Sequence, residues 1–94
     1  MAIACITGAS SGIGMEFAKR LSRMGYELIL VSRNTKALKK LAGTLPCRCK
    51  IISCDLSDEN NCIKLAEYLK TKNLTLFINN AGFGDWGSFD NTDL

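Results

Sequence analysis

A glycine-rich turn between an apolar segment and a helical pattern constrains this chain more than any other feature. Residues 2–7 form an almost unbroken apolar run, which is typical of a strand buried on both faces. Beyond the turn at residues 8–14, apolar side chains recur at near-helical spacing, and Gly25 supplies a stop signal. The pattern predicts a strand, a tight turn and an amphipathic helix. The expected apolar face of this helix comprises Ile13, Phe17, Leu21 and Met24.

The same alternation repeats along the chain. Further strands are predicted at residues 27–31, 50–53 and 74–78. Pro46 closes the second helix, and Ser57 is the expected N-cap of the third. Because apolar strands joined by helices indicate parallel pairing, the fold class is α/β, a doubly wound parallel sheet with helices on both faces. The apolar faces of these two helices are Leu38, Leu41, Ala42 and Leu45, and Cys62, Leu65, Ala66 and Leu69.

The order β-α-β-α-β-α-β also predicts where a ligand binds. Right-handed crossovers give the strand order 3-2-1-4 if the chain reverses direction after the third strand. Ligands of such sheets bind beyond the carboxyl ends of the strands, at the switch between strands 1 and 4. The glycine turn follows strand 1 and residues 79–82 follow strand 4, so both are expected at this crevice.

Length and composition restrict the chain to one domain and disfavour several functions. Ninety-four residues with 47% hydrophobic and 22% charged content are typical of a single globular domain. The longest apolar runs are strand-sized and Met1 leads directly into a strand, so we expect no membrane span, no signal peptide and a cytoplasmic protein. The net charge of +3 reflects a basic first half, spread over two helices without interleaved aromatic residues, which disfavours nucleic-acid binding.

The cysteines do not form a metal-binding pattern. The chain has five cysteines, no histidine and no C-x-x-C pair, and three of the cysteines lie within or beside predicted strands. We therefore expect no metal, and interpret the cysteines as small hydrophobic residues in a reducing compartment.

The glycines of the turn match the needs of a bound pyrophosphate. Gly8 can turn the chain out of strand 1, Gly12 lets the backbone approach phosphate without a Cβ in the way, and Gly14 permits close packing of the helix on the sheet. Amides at the helix N-terminus would face the negative charge, and two serines add hydroxyl donors. At a strand-to-helix junction this pattern indicates nucleotide binding. The candidate residues are Gly8, Ser10, Ser11, Gly12, Ile13 and Gly14.

The end of strand 2 favours NADP over NAD. A carboxylate here would bind the ribose 2′-hydroxyl, but the chain has Arg33 and Asn34 and no acid between Glu27 and Asp55. Arg33 offers a planar fork suited to a 2′-phosphate, although it could also be an ordinary surface arginine before a helix. Asp55 and Leu56 follow strand 3, where a side chain could meet the adenine. The alternative for Asp55 is a turn residue.

Three separated motifs, in order along the chain, resemble the short-chain dehydrogenase/reductase family. They are residues 7–14, residues 55–56 and the Asn-Asn-Ala-Gly segment at 79–82. The resemblance implies a Rossmann-like domain in which the first motif binds pyrophosphate, Asp55 contacts adenine, and the third motif stabilises the sheet near the cofactor. It also implies that an arginine at position 33 marks the NADP-preferring branch, and it adds three residues to the candidates for the cofactor site: Asn80, Ala81 and Gly82.

The same resemblance places catalysis elsewhere. Members of the family carry a catalytic Ser and a Tyr-x-x-x-Lys pair well after the Asn-Asn-Ala-Gly segment. Tyr68 and Lys72 match the pair literally but precede that segment and fall late in the third helix, so we assign them no catalytic role. Residues 1–94 are therefore expected to be the N-terminal part of an NADP-binding domain. The complete parent would act on a carbonyl or alcohol substrate.

The last residues and the edge of strand 4 leave a second hypothesis open. Residues 91–94 read as the start of a helix, which suggests truncation, and Trp86 and Phe89 are expected to pack on the missing half. An unpaired strand 4 exposes backbone donors and acceptors. The alternative function is thus a non-catalytic nucleotide-binding or self-assembling module. A sugar-nucleotide epimerase is disfavoured. Such enzymes have a different glycine spacing and an acid after strand 2, and this chain has neither.

Overall fold

A computed structural model describes residues 2–80 of the chain. Four strands alternate with three helices, as the sequence predicts. The boundaries are β1 Ile3–Thr7, α1 Gly12–Arg23, β2 Glu27–Ser32, α2 Thr35–Thr44, β3 Cys49–Ser53, α3 Glu59–Lys70 and β4 Leu76–Asn79. The largest difference from the predicted bounds is at β4, which begins two residues later than expected because Thr75 lies in the connection and donates its amide to Ile3 O (2.8 Å).

The four strands form one parallel sheet in the order β3-β2-β1-β4, which confirms the predicted doubly wound topology. In this register Thr7 pairs with Val31 of β2 and with Asn79 of β4. The carboxyl ends of the three strands therefore lie side by side. The loops that follow them meet at this edge of the sheet.

The central strands β1 and β2 are buried on both faces. Alternate residues of β1 and β2 point to opposite sides, so Ile6 and Leu30 face α1 and α2, while Cys5 and Val31 face α3. All four of these side chains are essentially inaccessible. Burial on both faces explains why the strands read as continuous apolar runs.

The predicted apolar face of α1 is confirmed at Leu21 and wrong at its other three positions. Ile13, Phe17 and Met24 are 67%, 40% and 70% exposed, whereas Gly14 and Ala18 are buried with Leu21. The start of the helix lies so close to the turn after β1 that a Cβ on Gly14 would stand 2.3 Å from Gly8 O. A small residue is therefore required at this contact.

The start of α3 also differs from the prediction. Asp58, and not Ser57, is the N-cap, and its carboxylate accepts a hydrogen bond from the Asn60 amide (2.9 Å). Ser57 instead bonds to Asp55. No helix among residues 2–80 is both long enough and apolar enough to cross a membrane.

Candidate functional site

The turn after β1 is held in one conformation by backbone bonds. Gly8 has a φ of 65°, which side-chain-bearing residues rarely adopt, and its carbonyl accepts the Ser11 amide (3.1 Å). The Ala9 amide donates to Val31 O (3.2 Å), which ties the turn to the end of β2. The turn is thus fixed against the sheet before any ligand binds.

Ser11 is the N-cap of α1, and its hydroxyl is engaged within the turn. The hydroxyl accepts the Gly14 amide (3.1 Å) and donates to Gly8 O (2.9 Å). The hydroxyl hydrogen of Ser11 is therefore donated within the protein, to Gly8 O. In this structure the Ser11 hydroxyl shapes the turn, and its role as a donor to a ligand stays a prediction.

Asn80 joins the end of β4 to the same turn. Its Nδ2 donates to Gly8 O (3.0 Å) and to Ser11 Oγ (2.7 Å). One residue earlier, Thr7 Oγ1 donates to Asn79 Oδ1 (2.8 Å). These bonds connect residues about seventy positions apart and hold the crevice between β1 and β4 at a defined width.

The start of α1 presents backbone amides to the surroundings of the turn. The first amides of a helix have no intrahelical acceptor. The Gly14 amide is satisfied by Ser11, whereas the Gly12 and Ile13 amides have no acceptor among the described residues. A Cβ on Gly12 would meet no atom within 4 Å, so its surroundings are open.

At the end of β2, two hydroxyl groups join the glycine turn to the next loop. Ser10 Oγ and Ser32 Oγ are 2.7 Å apart, and Ser32 Oγ also accepts the Asn34 amide (3.1 Å). Asn34 is the N-cap of α2, and its Oδ1 accepts the Ala37 amide (3.0 Å). Arg33, between these two residues, is exposed.

Asp55 is both a turn residue and part of the site wall. Its Oδ1 accepts the Ser57 hydroxyl (2.6 Å) and the Ser57 amide (3.0 Å). These two bonds, with a smaller contribution from the positive charge of Arg33, hold the pKa of the Asp55 carboxyl below its usual value. Leu56 is 6% exposed and packs into the core beneath α3.

One cleft of ≈ 340 Å³ collects residues from the ends of all four strands. Six of the sequence candidates line it: Gly8, Ser11, Arg33, Asp55, Leu56 and Asn80. Three further lining residues, Ser32, Cys54 and Ser57, were not among the candidates, although each directly neighbours one that was. Ala81 and Gly82 lie outside the described residues, as do Trp86 and Phe89.

Tyr68 and Lys72 do not line this cleft. The connection after α3 bonds to Ile3 at the start of β1, through the Thr75 amide. The carboxyl end of α3 therefore lies near the amino ends of the strands. Lys72 Nζ sits 4.9 Å from the centre of the Tyr68 ring, a cation–π contact and not a catalytic arrangement.

No cluster of three or more potential metal ligands occurs within residues 2–80. The cysteines of this range are all free thiols. Cys5 and Cys62 are buried as expected of small hydrophobic residues, but Cys47, Cys49 and Cys54 are only half-buried.

Comparison with known proteins places the whole matched region in one family. A family model described as short chain dehydrogenase matches residues 2–94. The very-long-chain 3-oxoacyl-CoA reductase of Neurospora crassa is 41% identical over 86 residues, which are 84% of this chain and 26% of the relative. The chain thus spans about a quarter of the length of that curated relative.

Solved structures share the fold. A short-chain dehydrogenase from Sphingobium yanoikuyae in complex with NADPH matches with a TM-score of 0.78 and 31% identity, over 87% of this chain and 34% of the other. An NAD+-bound xylitol dehydrogenase matches with a TM-score of 0.77 and 25% identity, over 87% of this chain and 34% of the other. Similar folds therefore occur with either dinucleotide.

Proposed function

The chain belongs to the short-chain dehydrogenase family, and we propose that residues 1–94 form the N-terminal, NADP-binding part of an oxidoreductase. The complete protein would transfer a hydride between NADP(H) and a carbonyl or hydroxyl carbon of a small molecule. The observation that carries the proposal is the cleft that places Arg33 beside Gly8, Ser11 and Asn80.

The turn and α1 fit the pyrophosphate of a dinucleotide. The amides of Gly12 and Ile13 are without intrahelical partners, and the positive end of the helix dipole lies beside them. Ser11 and Asn80 keep these amides in place through Gly8 O. The site is thus preformed, which lowers the entropic cost of binding.

The end of β2 fits a ribose 2′-phosphate. Arg33 supplies a cationic fork at the cleft wall. The bond between Ser10 and Ser32 uses one of their two hydroxyl hydrogens, so the other is available to a phosphate oxygen. An NAD ribose would need an acceptor for its 2′-hydroxyl, and the residues that end β2 and start α2 carry no carboxylate.

The described residues bind and orient a cofactor but contain no proton donor at the cleft suited to carbonyl reduction. Bound NADPH supplies the hydride. Asp55, the one titratable acid that lines the cleft, has its pKa lowered by Ser57 and stays ionised at neutral pH. We therefore assign proton transfer and substrate binding to other parts of the complete protein.

This division of roles predicts binding without turnover for the 94-residue chain. Fluorescence of NADPH should change on titration with the chain, because the cofactor enters the cleft. Incubation of the same sample with NADPH and a panel of ketones should leave the NADPH absorbance constant. Sustained NADPH oxidation that depends on a ketone would contradict the assignment, and so would the absence of any NADPH binding by a folded chain.

Exposed apolar side chains on α1 favour a second candidate, a self-assembling module. Ile13 and Phe17 are 67% and 40% exposed, so they offer apolar surface for association. Among residues 2–80, β4 is an end strand of the sheet.

This second candidate predicts an oligomer whose size rises with concentration. Light scattering coupled to size-exclusion chromatography, over a wide range of chain concentrations, measures it directly. Phe17→Ser should shift the distribution toward monomer, whereas Met24→Ser, at the far end of the helix, should change it less. A monomer at every concentration would remove this candidate and leave the cofactor proposal intact.

A further inference from the structure

Cys47 and Cys49 form a close thiol pair at the start of β3, away from the cofactor cleft. Their Sγ atoms are 3.7 Å apart, and Cys49 Sγ is 3.8 Å from Cys47 O. Arg48, between them, is exposed, whereas both cysteines are half-buried on the side that packs against the core beneath α1 and α2. Cys47 lies in the bend just before β3 and Cys49 is the first residue of β3, and this local conformation brings the two thiols together.

The distance suits a disulfide. The Sγ atoms are 3.7 Å apart, so they need to approach by ~1.7 Å to reach a disulfide bond length of about 2 Å. The pair follows the short connection after α2 and lies at the sheet edge formed by β3, so small movements there leave the central strands in place.

Burial, the hydrogen bond to Cys47 and the charge of Cys47 raise the pKa of Cys49 to about 12. Because the thiolate is the nucleophile in thiol–disulfide exchange, Cys49 is disfavoured as the thiol that attacks first. When Cys47 carries a substituent on its sulfur, its hydrogen bond and its charge no longer act on Cys49.

We propose that Cys47 and Cys49 form a redox-active dithiol that is oxidised by low-molecular-weight disulfides. The Cys47 thiolate attacks one sulfur of glutathione disulfide, forms a mixed disulfide and releases one glutathione thiolate. Cys49 loses its proton to solvent and attacks the Cys47 sulfur, which forms the Cys47–Cys49 bond and releases the second glutathione. Two protein thiols are oxidised, and one glutathione disulfide is reduced to two thiols.

Peptide mapping tests this proposal on the intact 94-residue chain. The folded chain is incubated with excess glutathione disulfide, residual thiols are blocked with N-ethylmaleimide, and the protein is cut with trypsin. Because trypsin cuts after Arg48, between the cysteines, fragments 41–48 and 49–50 stay together after this cleavage only if a disulfide joins them, and the added mass of one water distinguishes them from uncleaved 41–50. We expect the linked fragments, an intact mass lower by two hydrogens, and recovery of separate fragments after dithiothreitol. Separate fragments that carry N-ethylmaleimide or glutathione would overturn the proposal.

Two variants and one condition sharpen the test. Cys49→Ser should stop at a stable glutathione adduct on Cys47, whereas Cys54→Ser, which changes another half-buried cysteine, should keep the linked fragments. The linked fraction at equilibrium should fall when the chain is unfolded in urea, because the fold no longer holds the sulfurs together. An equal fraction in folded and unfolded chains, or loss of the link in Cys54→Ser, would count against the proposal.

Discussion

Replacing Gly14 with alanine is expected to destabilise the chain by about 1–3 kcal/mol or more, the range for overpacking a tight contact. The added Cβ would stand 2.3 Å from Gly8 O and 2.9 Å from Ala9 Cα, both backbone atoms of the turn. It would also press on Asn80 Nδ2 at 3.0 Å, a group that holds the same turn. To relieve these close contacts, α1 must move away from β1. This movement opens the cleft.

Thermal unfolding followed by circular dichroism measures this effect. A loss of 1 kcal/mol should lower the melting temperature by roughly 4–8 °C in a domain of this size. Gly43→Ala is the matched control, because a Cβ there meets nothing within 4 Å in the helix α2. It should stabilise the chain by about 0.5–1 kcal/mol. Equal melting temperatures for the two variants would show that α1 is not in close contact with the turn.

Replacing Arg33 with alanine is expected to weaken NADP binding by roughly 10- to 150-fold, the equivalent of one charge-assisted hydrogen bond of about 1.5–3 kcal/mol. NAD binding should change little, because NAD has no 2′-phosphate for the guanidinium to contact. The expected result is a variant that no longer distinguishes the two dinucleotides. Higher salt should reduce the preference of the unmodified chain for NADP over NAD, because ions screen the charge of the exposed Arg33 side chain.

Lys36→Ala is the control for a general loss of positive charge. Lys36 lies three residues further along, in the first turn of α2, and does not line the cleft. It should leave the ratio of the two affinities nearly unchanged. If Lys36→Ala and Arg33→Ala weaken NADP equally, the 2′-phosphate is held by the overall positive charge of this region and not by the fork of Arg33.

The strand order and the location of the cleft could be predicted from the sequence. Strands buried on both faces read as apolar runs, the helices between them force parallel pairing, and the reversal after β3 brings the turn and Asn80 together. These features depend on hydrophobic pattern and chain connectivity, which a sequence carries directly.

Contacts set by close packing or by competition between neighbouring polar groups could not be predicted in the same way. Hydrophobicity alone assigned Ile13 and Phe17 to the core, but the tight approach of α1 to β1 reserves the inner face for Gly14 and Ala18. Ser57 and Asp58 are both residue types that favour the N-cap position. Because Ser57 hydrogen-bonds to Asp55, Asp58 is the residue that caps α3.

The role of Ser11 also needed the structure. Its hydroxyl could serve a phosphate or the protein, and only the positions of Gly8, Gly14 and Asn80 show that its bonds are made within the turn. The Cys47–Cys49 pair likewise became visible only through its local conformation, because a C-x-C spacing brings the sulfurs close in some conformations and not in others.

Isothermal titration calorimetry of the unmodified chain with NADP and with NAD measures the preference between the two dinucleotides. We expect saturable binding of one NADP per chain, with an affinity at least about 10-fold higher than that for NAD, as one charge-assisted hydrogen bond provides. Equal affinities, or tighter binding of NAD, would contradict the assignment of Arg33 and its neighbouring serines to a 2′-phosphate.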